Sequence, residues 1–204
     1  QINSFELSNS FFVEEKRKID RSKLKTISFL SNITKEKGII EFLDVCMRLN
    51  DEFHDLQFFL AGPLIDSEVL DDPRFRNLIE SKNFFYLGPI YGDDKKNFFK
   101  NTDLLLFPTK YKIEAEPVTI IEALSYSIPV VSNDKGSITD ILDNSSGLIT
   151  AENEFVNSAY EYIKNSLANH DQYNFNSCEA QKRFNALKNK SFISYKDLKN
   201  HICL

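Results

Sequence analysis

Two glutamates, Glu114 and Glu122, stand eight residues apart in the stretch Glu114-Ala-Glu-Pro-Val-Thr-Ile-Ile-Glu122-Ala-Leu. A carboxylate in an apolar helix needs a partner or a ligand, because an unpaired buried charge is costly. Pro117 suits the first helical position, where its missing N–H is one the helix would leave unused anyway. Glu114 then lies on the loop before a helix, with Glu122 inside it. The amides of Val118, Thr119 and Ile120 would point outward unpaired, forming an anion site that needs no side-chain charge. Thr119 adds a hydroxyl, and the Glu122 carboxylate can accept two vicinal hydroxyls of a ribose. The set suits a ligand that is part sugar and part anion. Glu116, at the anion site, carries the wrong charge for phosphate unless its side chain turns away. The same spacing also fits a solvent stripe of Thr119, Glu122 and Ser125 or Tyr126 on an amphipathic helix.

A second candidate is the loop Ser31-Asn-Ile-Thr-Lys-Glu-Lys37-Gly38. Lysines at a helix start oppose the helix dipole, but a bound anion reverses that sign, since lysine and helix amides can share a phosphate. The alternative is that Lys35 and Lys37 simply extend into solvent.

The elements that must position these groups follow from hydrophobic periodicity. Nearly continuous apolar runs predict strands covered on both faces at 26–30, 56–61, 84–87, 104–107, 129–132 and 148–150. Helical periods fall between them at about 38–50, 67–81, 93–101, 117–127 and 136–143, with Gly or Pro at many junctions. This alternation implies right-handed crossovers and an α/β, Rossmann-like, doubly wound parallel sheet of about six strands. After Thr150 only helices are expected, at about 152–169, 175–188 and 194–202. Residues 1–24 are polar and without period, and are read as an arm or linker. Residues 25–204 form one domain with a helical C-terminal segment. In such a sheet ligands bind outside the carboxyl ends of the strands. The loops there are 31–38, 62–67, 88–93, 108–117 and 133–136, and Glu114 lies in the fourth.

Composition narrows the classes further. The 204 residues suffice for one well-cored domain. A formal net charge of −5 argues against non-specific nucleic-acid binding. Cys46, Cys178 and Cys203 are scattered and odd in number, which fits a reducing compartment. No apolar run approaches the roughly 18 residues that span a bilayer, and no signal-peptide pattern is present. The expectation is a cytoplasmic protein, with peripheral contact at the inner face of a membrane left open. His54, His170 and His201 lack a second ligand at metal spacing. The G-x-G-x-x-G fingerprint and the Walker loop are both missing. The acidic pairs Asp71-Asp72 and Asp93-Asp94 read as capping or preceding a helix.

Five segments in this order and spacing carry a family resemblance: Phe29-Leu-Ser-Asn-Ile-Thr-Lys-Glu-Lys-Gly38, Phe58-Phe-Leu-Ala-Gly-Pro63, Phe85-Tyr-Leu-Gly-Pro89, Asp103-Leu-Leu-Leu-Phe-Pro108, and Glu114 through Glu122 to Ile128-Pro-Val-Val131. Together they resemble the C-terminal, donor-binding half of a GT-B glycosyltransferase, most like family 4 of the retaining enzymes, from about Lys25 to Thr150. The resemblance implies roles by position. Glu114 matches the first glutamate of the E-x7-E motif, at the donor sugar, and Glu122 the second, which holds the ribose hydroxyls. Lys37 matches the diphosphate-binding lysine. Pro89 and Ile90 match the loop that contacts the base. Glu116, Pro117, Val118 and Thr119 match the segment that contacts sugar and phosphate. The family's arginine five residues before the lysine is Asn32 here, its Phe-Gly before the helix is Glu116-Pro117, and a glycine before Ile128-Pro129 is Ser127.

The resemblance further implies transfer of a sugar from a nucleotide diphosphate sugar to a saccharide or lipid-linked acceptor, with retention. It implies no cofactor or metal, and a setting in cell-surface polysaccharide or lipopolysaccharide assembly. Glu114 and Lys37 would be the catalytic pair. GT-B enzymes use two such domains and only one is present here, so a missing N-terminal domain is an expected partner. The C-terminal segment near Phe192–Leu204 resembles the one that crosses back to that domain, with Phe192, Ile193, Tyr195, Leu198 and Ile202 partly uncovered. Two other readings stand beside this one. One is a donor-nucleotide binding module inactive on its own. The other is a nucleotide-sugar epimerase of the same fold, whose histidine and carboxylate set is not evident.

Overall fold

The computed structural model describes residues 8–14 and 23–202. The rest of the expected arm, Cys203, Leu204 and the side chain of Ile202 lie outside the described residues. Strands β1 (Thr26–Leu30), β2 (Gln57–Ala61), β3 (Phe84–Tyr86), β4 (Leu104–Phe107), β5 (Val130–Asn133) and β6 (Gly147–Thr150) form one six-stranded sheet. Its order is β3-β2-β1-β4-β5-β6 and every pairing is parallel. The Rossmann-like α/β expectation holds, with each strand within a residue or so of its expected range.

The helices are α1 (Ile39–Glu52), α2 (Pro73–Ile79), α3 (Gly92–Asn101), α4 (Val118–Ser125), α5 (Ile138–Ile141), α6 (Phe155–Ala168) and α7 (His170–Ile202). Both sheet faces are covered, which is why the strands read as unbroken apolar runs. On one face Phe29, Phe58 and Leu60 pack with Phe42 of α1, Leu78 of α2 and Ile163 of α6. On the other, Leu105 and Phe107 pack with Phe99 of α3, Ile120 and Leu124 of α4 and Phe184 of α7.

Two helices differ from expectation. The segment 67–81 is split into a 3-10 turn at Ser67–Asp71 and α2. A residue before proline avoids the helical region; Asp72 is extended and instead caps α2, accepting from the Arg74 amide at 2.9 Å. At the C-terminus the expected break between 188 and 194 is absent, and α7 runs unbroken for 33 residues. No Gly or Pro interrupts it. Its far half gains packing from the arm, where Phe11 stacks on Phe192 and touches Tyr195.

The consequence for function is topological. The strand order reverses direction between β1 and β4, so the loops after these two strands diverge and leave a crevice at their carboxyl ends. Those loops carry Asn32, Lys37 and Glu114.

Candidate active site

The crevice is a cleft of about 480 Å3. Nine of the ten expected donor-binding residues line it: Asn32, Lys37, Pro89, Ile90, Glu114, Glu116, Pro117, Val118 and Thr119. Glu122 lines an adjoining cavity of about 380 Å3 between α3, α4 and the arm. Lys95 and Val118 border both. Residues from four loops and four elements thus meet at the carboxyl end of the sheet.

Close backbone approach makes this possible. Gly38, at the start of α1, has φ +82°, and a Cβ there would lie 2.1 Å from the Pro108 carbonyl oxygen. The first loop can therefore press against the fourth. The Lys110 amide donates to the Glu36 carbonyl at 2.8 Å, and the Lys110 ammonium pairs with Glu41 at 2.9 Å. This latch carries Lys37 toward Glu114. Lys37 Nζ lies 2.6 Å from Glu114 Oε2, with the side chains only 21% and 10% exposed. Thr109 Oγ1 donates to the same oxygen at 3.0 Å, and the lysine sits 4.7 Å over the Tyr111 ring. Thr109 is itself held by Asn133, whose Nδ2 donates to its carbonyl at 3.0 Å. By contrast Lys35 pairs with Glu68 on the surface, away from the cleft. The solvated reading is right for one lysine and wrong for the other.

The start of α4 differs from expectation by one residue. Pro117 is the N-cap, with φ −68° and ψ 106°, and the helix begins at Val118. The Ile120 amide donates to the Pro117 carbonyl at 3.0 Å, so it is not available to an anion. Val118 and Thr119, the first two residues of the helix, line the cleft. Glu116 is held by the arm. Its carboxylate accepts from the Asn9 amide, and its carbonyl accepts from Asn9 Nδ2 at 3.1 Å. The carboxylate therefore has a donor in the arm, while the residue still lines the cleft. The alternative solvent stripe is not formed, because Ser125 and Tyr126 are buried.

The profile of the family described as glycosyl transferases group 1 matches residues 12–184. The chain belongs to that family. Its matched stretch runs from the arm into the first half of α7, so the cleft and all six strands fall inside it. An uncharacterized glycosyltransferase of Methanocaldococcus jannaschii is 28% identical over 169 residues, which are 80% of this chain and 40% of that protein. The chain thus spans less than half the length of this relative. Among solved structures, the C-terminal domain of the group 1 glycosyl transferase LpcC from Francisella tularensis superimposes with a TM-score of 0.69 at 12% identity, covering 79% of this chain and 85% of that one. Anabaena HepE in complex with UDP-glucose gives 0.70 at 16% identity, covering 87% of this chain and 49% of that one. At these identities the likeness concerns the fold, which is the GT-B type of Rossmann-like domain.

The group 1 motifs did not point to several residues that shape this cleft: Thr109, Tyr111, Asn133, Asn9 and Lys95. Thr109 donates to Glu114 within the same loop, and the others act through contacts between distant segments, such as Asn9 with Glu116, which no local periodicity reports. Among the described residues no helix is long and apolar enough to cross a membrane.

Proposed function

We propose that this chain is the donor-binding half of a retaining, family 4-like glycosyltransferase. It binds a nucleotide diphosphate sugar, and the full enzyme passes the hexose to a saccharide or lipid-linked acceptor in cell-surface polysaccharide synthesis. One observation carries the reading: nine separately expected residues line a single cleft at the strand-order reversal, with Glu122 beside it. HepE, of the same fold, has been solved with UDP-glucose bound.

In this reading the base lies against Pro89 and Ile90, and the ribose hydroxyls meet Glu122. The diphosphate draws Lys37 from Glu114 and takes the Val118 and Thr119 amides, with Asn32 as a neutral donor at the mouth. Negative charge grows on the departing diphosphate as the glycosidic bond breaks, and these fixed donors stabilise it. Glu114, released from Lys37 but still held by Thr109, orients the donor sugar. Lys37 and the amides supply the role a metal would otherwise fill, so turnover should proceed in excess chelator. The acceptor and an N-terminal domain complete the site, at the cytoplasmic face of a membrane.

Calorimetry with UDP, GDP and ADP on the wild type, Lys37→Ala and Glu122→Ala tests this. One nucleotide should bind, and each substitution should weaken it by roughly tenfold or more, since hydrogen bonds to charged groups contribute about 1.5–3 kcal/mol. Unchanged affinity in both variants would sink the assignment.

The second reading, a binding module silent without its partner, is favoured by two observations. The chain spans 40% of its Methanocaldococcus relative. It also presents an apolar face of Phe12, Phe192, Ile193 and Tyr195, which are 80%, 49%, 61% and 41% exposed. Such a patch marks an interaction surface. Sugar transfer or donor hydrolysis by the isolated chain would exclude this reading.

A further inference from the structure

Lys95, one turn into α3, pairs with Glu122 across the gap between α3 and α4, its Nζ 2.6 Å from Oε2. Both side chains are largely shielded, at 32% and 22% exposed. The neighbouring Lys96 behaves differently. It pairs with Asp93 on its own helix at 2.8 Å, where both side chains are more than half exposed. Of two adjacent lysines, one serves a surface pair and the other is committed to the proposed ribose carboxylate. Lys95 is also the charged side chain common to the cleft and the cavity that Glu122 lines.

The chemistry of the pair is specific. Glu122 Oε2 is buried, and its charge is met there by the Lys95 ammonium. Oε1 is left for a ligand. An ammonium has three donors and a carboxylate only acceptors. Side by side, they offer one donor and one acceptor a few ångströms apart. Two vicinal hydroxyls, each able to donate and accept, satisfy such a pair together.

We propose that Lys95 is a further donor-binding residue, which fixes Glu122 and donates to one ribose hydroxyl while Glu122 accepts from the other. The pair reads the vicinal diol of the nucleoside. This rests on the reading of Glu122 as the ribose ligand. It adds that the site selects ribonucleotides over 2′-deoxyribonucleotides, because a missing hydroxyl leaves part of a desolvated ion pair without a partner, a loss that binding sites register strongly.

The test uses calorimetry of the 204-residue chain. UDP, GDP and ADP identify the nucleotide that binds, and its 2′-deoxy form is then titrated against the wild type, Lys95→Met, Lys95→Arg, Glu122→Gln and the double variant Lys95→Met/Glu122→Gln. The wild type should favour the ribo form by roughly tenfold or more. Lys95→Met should weaken the ribonucleotide by about tenfold and bring the ribo-to-deoxy ratio close to one. Lys95→Arg should restore most of both. The double variant should be little worse than the weaker single one, since the two side chains act as a unit. Thermal melts report folding, and Lys95→Gln replaces Lys95→Met if the latter does not melt cooperatively. Three outcomes overturn the inference while the donor reading stands, provided Lys37→Ala and Glu122→Gln still weaken binding: wild-type affinity in Lys95→Met, an equal loss for ribo and deoxy forms, or a wild type without ribo preference. Failure of all three nucleotides to bind, or binding indifferent to Lys37 and Glu122, overturns the donor reading and this inference with it.

Discussion

Glu114 depends on its neighbours for its orientation. Its Oε2 accepts from Lys37 and from Thr109, and Thr109 is braced by Asn133. When a diphosphate attracts the lysine, the Thr109 hydroxyl is what keeps the carboxylate aimed at the sugar. Thr109→Val preserves the buried shape and removes that donor. Affinity for a nucleotide sugar should fall by roughly tenfold, in line with a lost hydrogen bond to a charged group. Affinity for the free nucleotide should hold, because Glu114 is assigned to the sugar. Calorimetry with the two ligands side by side separates these outcomes, and an equal loss for both would place Glu114 elsewhere.

Among the elements, the loops matter more than the helices they join. Gly136 lies between β5 and α5 with φ +53°, and a Cβ there would meet the Glu114 carbonyl oxygen at 1.7 Å. The main chain of Glu114 is thus located by contact with a glycine 22 residues later. Gly92 has the same φ, but no atom lies within 4 Å of its would-be Cβ. Both alanine substitutions incur the left-handed strain of about 1–2 kcal/mol. Only Gly136→Ala adds a backbone collision. Its urea midpoint should fall well below that of Gly92→Ala, and its donor affinity should fall as well. Equal midpoints would mean that the fourth loop can move aside freely.

For the molecule as a whole, carboxylates tied to structure set the acid limit. The Arg74 guanidinium hydrogen-bonds Asp72 and holds its carboxyl below the usual range. Burial pushes Asp143 up, but hydrogen bonds from Ser145 and Ser146 outweigh it and leave this carboxyl below the usual range too. A carboxylate with a depressed folded pKa contributes stability above its unfolded value, near 3.9 for aspartate, and loses it as the pH falls through the folded value. The melting temperature should therefore drop as the pH is lowered below about 4. In Asp72→Asn/Asp143→Asn the neutral-pH melting temperature should be lower and the acid slope shallower. An unchanged slope would assign the acid limit to other groups.

Periodicity was enough for the sheet, because strands buried on both faces must be apolar throughout, as Thr26–Leu30 and Leu104–Phe107 are. It was enough for the candidate loops, because a doubly wound parallel sheet places its ligand sites at the strand ends. Glu114, Glu122 and Lys37 stood out as candidates by their offsets from a strand or a helix start, and their roles came only from the family resemblance. Other features depend on contacts between segments far apart in the chain, and no local pattern contains them. Lys37, not Lys35, turns inward because Gly38 lets two loops touch. Glu116 is held by Asn9 of the arm. The helix α7 continues past Asn189, where Phe11 of the arm packs on Phe192 and Tyr195. Lys95 meets Glu122 for the same kind of reason. The residue types and their order determined what chemistry was available, and the tertiary packing decided which groups face each other across the cleft.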